Sequence, residues 1–84
     1  MDTGRLKHTL ALRLALCLEV KNISQAELSD TTGISQASIS RYLNEARLPR
    51  LTELVMMSLI IGVSVDWLLG LDEINALPGE IVHV

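Results

Sequence analysis

The residues with the most chemistry to offer fall within one short stretch of the chain. Gln36, Ala37, Ser40, Arg41 and Asn44 lie on one side of a helical pattern, while Ile39 and Tyr42, with Ile34 and Leu28 behind them, lie on the other. Amide, hydroxyl and guanidinium groups so arranged make no nucleophile, no paired carboxylates and no metal set. They are suited to exchanging hydrogen bonds with a flat polar edge. Gln and Arg each present two prongs, which match adenine and guanine, and an Ala methyl can meet the methyl of thymine. The plain alternative is a polar helix face that meets only water.

Such a face is useful only if the elements around it hold it rigid, and the flanking residues encode those elements. Ser24 followed by Glu27 predicts a capping box opening a helix over Gln25–Thr32. Gly33 closes that helix, because a left-handed residue is least costly without a side chain. Ser35 is placed to cap a second helix from Gln36 to about Glu45. Around this pair the apolar spacing predicts a first helix from Thr3 or Gly4 to Val20, a fourth over Leu51–Ile61 and a fifth over Val65–Leu69. Leu48-Pro49 ends the link after the third helix, Gly62 and Gly70 are stops, and Ser64 with Asp66 starts the fifth. The fold class expected is all-α, a compact five-helix domain.

Several separated pieces of this chain resemble the lambda-repressor-like family, the Cro and phage-repressor type of helix-turn-helix, in order and at the right spacing. Gln25-Ala-Glu-Leu is similar to the start of the family's second helix, Gly33-Ile-Ser-Gln to its turn, Ile39-Ser-Arg-Tyr to the middle of its reading helix, and Gly62-Val-Ser-Val-Asp-Trp-Leu-Leu-Gly70 to its closing segment. The resemblance spans roughly Leu6 to Leu71 and implies one domain over residues 1–71, followed by a tail over residues 72–84. It implies that the third helix enters the major groove of double-stranded DNA and the second lies across the backbone. Gln36, Ala37, Ser40 and Arg41 then become the base readers. Gln25, Ser35, Asn44, Arg47 and Arg50 become phosphate contacts, with the free donors at a helix start assisting. Arg50 departs from the family, standing where relatives usually have a small hydroxyl cap, so the fourth helix is expected either to start weakly or to use Thr52.

Length and composition agree with a small intracellular domain. Eighty-four residues allow one core. With Tyr42 and Trp67 as the whole aromatic content, aliphatic side chains must fill that core. One cysteine cannot form an intramolecular disulfide, and no signal-like or membrane-length apolar stretch is visible, so a cytoplasmic location is expected. The net charge of -3 is unevenly spread. Up to Arg50 there are seven basic and five acidic residues, net +2; residues 51–84 hold five acids and no Lys or Arg, net -5. That asymmetry would turn the third helix toward a phosphate backbone and the acidic end away.

Leu10, Leu14, Cys17, Ile23, Leu28, Ile34, Ile39, Tyr42, Leu43, Leu54, Val55, Met57, Ile61, Val63, Trp67 and Leu68 fall where the family's core lies. Leu12, Leu16 and Leu18 on the first helix, and Met56, Leu59 and Ile60 on the fourth, stand where relatives usually carry charged residues. A helix reading Leu54-Val-Met-Met-Ser-Leu-Ile-Ile61 is apolar almost all round and needs cover on more than one side. A twofold homodimer through Met56, Leu59 and Ile60 would supply it and would match a palindromic operator. A larger internal core, helped by the tail, is the alternative. Leu77-Pro78-Gly79 is turn chemistry and Glu80-Ile-Val-His-Val84 has a strand bias, so the tail is read either as a disordered end or as a docked or dimer-pairing strand using Ile81 and Val82.

Nothing in the sequence asks for a cofactor, a metal or a small-molecule substrate. His8 and His83 lie far apart and are read as solvated, and there is no phosphate-cradling glycine loop or nucleophile motif, so no enzyme is expected. Two functions fit. The first is a sequence-specific transcriptional regulator of the phage Cro or repressor kind, binding a palindromic operator as a homodimer. The second is a protein-interaction module, an antitoxin or anti-repressor, presenting apolar helices 1 and 4 to a partner. A pattern ending near Leu71 favours a complete small regulator.

Overall fold

A computed structural model of the protein describes residues 2–71. Five helices follow one another: α1 (Thr3–Val20), α2 (Gln25–Thr32), α3 (Gln36–Leu43), α4 (Leu51–Ile61) and α5 (Val65–Leu69). Ser24, Ser35 and Ser64 each accept a hydrogen bond from the backbone N–H three residues on, at 3.0, 3.1 and 3.0 Å, so three of the five starts are serine-capped as their sequences foretell. Asp2 does the same for α1, accepting from the Arg5 N–H at 2.7 Å.

Two helix ends were not signalled by glycine. α3 stops at Leu43 rather than near Glu45, because Glu45 takes a left-handed conformation with φ of 61°. The Glu45 N–H donates to Tyr42 O and the Ala46 N–H to Arg41 O, the paired bonds of a Schellman ending built on a residue that pays strain for it. Asn22, with φ of 55°, ends α1 by the same device. The Glu45 carboxylate lies 3.2 Å from His8 Nδ1, so His8 has a partner on the turn and is not simply solvated.

The start of α4 also differs from expectation. Arg50, not Thr52, occupies the cap position, and its side chain has no acceptor to offer. Only the reciprocal half of a capping box forms: Glu53 Oε1 accepts from the Arg50 N–H at 3.0 Å.

The core gathers Leu10, Leu14, Cys17, Leu28, Ile34, Ile39, Tyr42, Leu54, Met57, Ile61 and Leu68, with Ile23, Leu43, Val63 and Trp67 half-buried against it. Two expectations are corrected. Leu18 is buried, because it extends the inward stripe of α1 one step beyond Cys17; Val55, one step round from Leu54, is 42 % exposed. α1 packs on α3 and α5, and α2 packs on α3 and α4, so the third helix is held from two sides. Lys21 Nζ donates to Ile61 O, placing a cation at the C-terminal end of α4. The Arg13 guanidinium sits 4.9 Å from the centre of the Trp67 ring. Among the described residues no helix is long and apolar enough to cross a membrane. The expected strand with Ile81 and Val82 lies outside the described residues.

Candidate nucleic-acid interface

The turn that aims α3 is tied down on both sides. Gly33 has φ of 78°, and its N–H reaches Ser29 O at 2.9 Å. Thr32 Oγ1 donates to Leu28 O at 2.6 Å and accepts from the Ile34 N–H at 3.2 Å, while Ser29 Oγ donates to Ile34 O at 2.5 Å. Two side chains of α2, Ser29 and Thr32, thus hold the backbone of Ile34, and Ile34 itself is buried. The angle between α2 and α3 is therefore fixed by polar ties as well as by packing.

With that angle set, the two sides of α3 separate sharply. Ile39 and Tyr42 are fully buried. Gln36, Ala37 and Arg41 are exposed, with Ser38 and Ser40 half-buried between the two sides. The four expected base readers Gln36, Ala37, Ser40 and Arg41 consequently lie together along one helix. Asn44 Nδ2 donates to Ser40 Oγ at 3.3 Å, so Asn44 closes the far end of that face. Ser35 stands at its near end, with its hydroxyl committed to the Ser38 N–H as a cap and 3.0 Å from Ser38 Oγ.

The other expected phosphate contacts lie on three different segments: the start of α2, the loop after α3 and the start of α4. Gln25 is exposed in the first turn of α2, on the rim of an open groove that also includes Leu43 of α3. Arg47 lies back along α3: its Nη2 donates to Ser38 Oγ at 3.1 Å and to the Tyr42 hydroxyl at 3.3 Å, with the guanidinium 5.6 Å from the Tyr42 ring centre. The hydrogen bond to Tyr42 raises the Arg47 pKa further, against the opposing effect of burial. Arg50 is exposed at the start of α4.

Sequence reading missed what lies beneath these cations. Tyr42 donates its hydroxyl proton to Glu53 Oε1, the same oxygen that accepts from the Arg50 N–H. Burial works against ionisation of Glu53, but the bonds from Tyr42 and Arg50, with the Arg50 and Arg47 charges, outweigh it and hold its pKa below the ordinary carboxylate range. The signal that could have revealed it was the spacing of three between Arg50 and Glu53, the same as between Ser24 and Glu27. An arginine at the cap position hid it.

Apolar groups cover two other surfaces. On α4, Leu59 is 71 % exposed, Ile60 41 % and Met56 39 %, and Leu51 and Val55 join them to make the outward side of the helix a continuous aliphatic stripe. On α1, Leu12, Leu16 and Val20 form a second exposed stripe at every fourth residue. The Cys17 thiol is buried, and burial raises its pKa despite the nearby Lys21 charge. No group of His, Cys, Asp and Glu among the described residues is arranged to hold a metal ion.

A protein-family model described as "Helix-turn-helix" matches residues 14–68, which runs from the middle of α1 to α5 and covers well over half the chain. No curated protein and no solved structure matches it.

Proposed function

The chain belongs to the lambda-repressor-like helix-turn-helix family, a DNA-binding family with a transcription-regulator-like role, and from that premise we propose that it is a sequence-specific regulator binding operator DNA as a homodimer. The observation that carries this reading is the division of α3: Ile39 and Tyr42 are buried to the last atom while Gln36, Ala37 and Arg41 stand clear of the domain. Gln36 and Arg41 supply two-pronged hydrogen bonds to base edges, Ala37 a methyl contact, and Ser40 room for close approach. Gln25, Ser35, Asn44, Arg47 and Arg50 orient the domain on the phosphates.

The aliphatic stripe of α4 supports pairing of two copies through Met56, Leu59 and Ile60. A twofold dimer would set two reading helices about 34 Å apart, one turn of duplex, and would recognise a palindrome. The two basic phosphate contacts per subunit, Arg47 and Arg50, give a salt slope of roughly -4 for the dimer. Non-specific binding is therefore modest, and recognition rests on α3.

Selection of binding sites from random duplex DNA at fixed salt tests the reading. A symmetric consensus with half-sites one turn apart is the expected result. Recovery of no consensus would instead favour the interaction module, whose supporting observation is the second exposed stripe of Leu12, Leu16 and Val20 on α1.

A further inference from the structure

The Arg47 guanidinium beside the reading helix is held from below by a chain of hydrogen bonds that begins at an acid. Glu53 Oε1 receives both the Tyr42 hydroxyl proton and the Arg50 N–H. Because the phenol gives its proton to the carboxylate, the lone pairs of its oxygen are left for Arg47 Nη2, which donates to it at 3.3 Å. A phenol whose proton is engaged by a carboxylate is also a stronger acceptor, since linked hydrogen bonds polarise one another. Arg47 completes the arrangement at Ser38 Oγ, 3.1 Å away, one turn of α3 before Tyr42. Tyr42 itself is fully buried, so its hydroxyl cannot be moved without moving the packed side of α3.

We propose that Glu53 is a positioning residue for DNA binding: acting through the Tyr42 hydroxyl, it fixes the Arg47 guanidinium along the flank of α3, where it meets a phosphate. The inference rests on the reading of Arg47 as a phosphate contact and adds what holds it there. A free arginine in an exposed loop would lose much side-chain freedom on binding DNA. Arg47 has given up part of that freedom already, with donors of its five N–H groups still available.

The sign of the effect makes the idea testable. Glu53 is negative, so as a bystander near DNA it would only repel phosphate, and removing it would tighten binding. As a positioning residue its loss does the reverse. The measurement is binding of wild type, Glu53→Ala, Glu53→Gln, Tyr42→Phe, Arg47→Ala and Glu53→Ala/Arg47→Ala to the duplex selected by the wild type. Affinity is followed from low to moderate salt, with circular dichroism establishing that each variant is folded.

Arg47→Ala should lower the salt slope by about 1 per subunit. Glu53→Ala should weaken binding and lower the slope in the same direction, and adding Arg47→Ala to it should lower the slope no further. Tyr42→Phe, which keeps the ring and loses only the hydroxyl, should reproduce the loss, and it keeps the test open should Glu53→Ala fail to fold. Glu53→Gln should restore binding to within about twofold, since one amide oxygen can accept both bonds that Glu53 Oε1 accepts. Tighter binding or an unchanged slope in Glu53→Ala, or an unchanged slope in Tyr42→Phe, would overturn the proposal while leaving Arg47 as a contact. An unchanged slope in Arg47→Ala would overturn both the contact and the proposal.

Discussion

Gly33 and Gly70 occupy the same backbone region, yet replacing each with alanine should have different costs, because only one of them has a neighbour. Gly33 has φ of 78° and a Cβ built on it would meet nothing within 4 Å; Gly70 has φ of 79° but its Cβ would lie 2.9 Å from Thr9 Cγ2. Gly33→Ala therefore carries only the left-handed strain, about 1 to 2 kcal/mol. Gly70→Ala carries that strain and also a contact well inside the roughly 3.5 to 4.0 Å preferred by two carbons. Overpacking of this kind costs about 1 to 3 kcal/mol more. In a domain of this size each kcal/mol lowers Tm by roughly 4 to 8 °C. Thermal melts of the two variants should differ accordingly, with Gly70→Ala the lower. Thr9→Ser removes the offending methyl, and the remaining contacts, at 3.7 and 3.8 Å, are ordinary ones. Thr9→Ser should then recover most of the difference in the Gly70→Ala background. Equal melts for the two glycine variants, or no recovery with Thr9→Ser, would refute the close approach of α1 and α5 on which the reasoning depends.

The α4 stripe and the half-buried Glu53 carboxylate each carry a further outcome. Met56→Lys with Ile60→Lys should give monomers in sedimentation without loss of helicity, since both side chains are about two-fifths exposed; an unchanged dimer would remove the α4 stripe as the pairing surface. The folded-state pKa of Glu53 is depressed, so the stability it contributes is present above its unfolded pKa and is lost as pH falls through the folded value. Melts of Glu53→Gln should therefore fall less steeply than wild type over the acid range below the ordinary carboxylate pKa, and parallel curves would refute the shift.

Much of the architecture was legible because local and long-range signals agree. Ser24 with Glu27, Ser35, Ser64, Gly33, Gly62 and Gly70 mark starts and stops by chemistry that acts within a few residues, and the structure uses each of them. The residues that escaped were those whose role depends on a distant partner or on tolerated strain. Glu45 ends α3 in a conformation that sequence reasoning assigns to glycine, and it does so beside His8 from a different helix. Leu18 and Val55 each lie one position from the edge of an inward stripe, where periodicity alone does not decide between core and surface. The candidate interface divides the same way. The exposed face of α3 could be read from spacing, whereas the Glu53–Tyr42–Arg47 linkage joins three segments and has no single motif.

The proposed role depends most directly on whether the exposed side of α3 reads bases. Binding of Arg41→Ala and Arg47→Ala to the selected duplex, and to a set carrying each single base change, separates reading from holding. Arg41→Ala should lose about 1 to 3 kcal/mol and become indifferent at one base position, while Arg47→Ala should weaken every duplex by a similar factor. Equal losses on every sequence for both variants would contradict it.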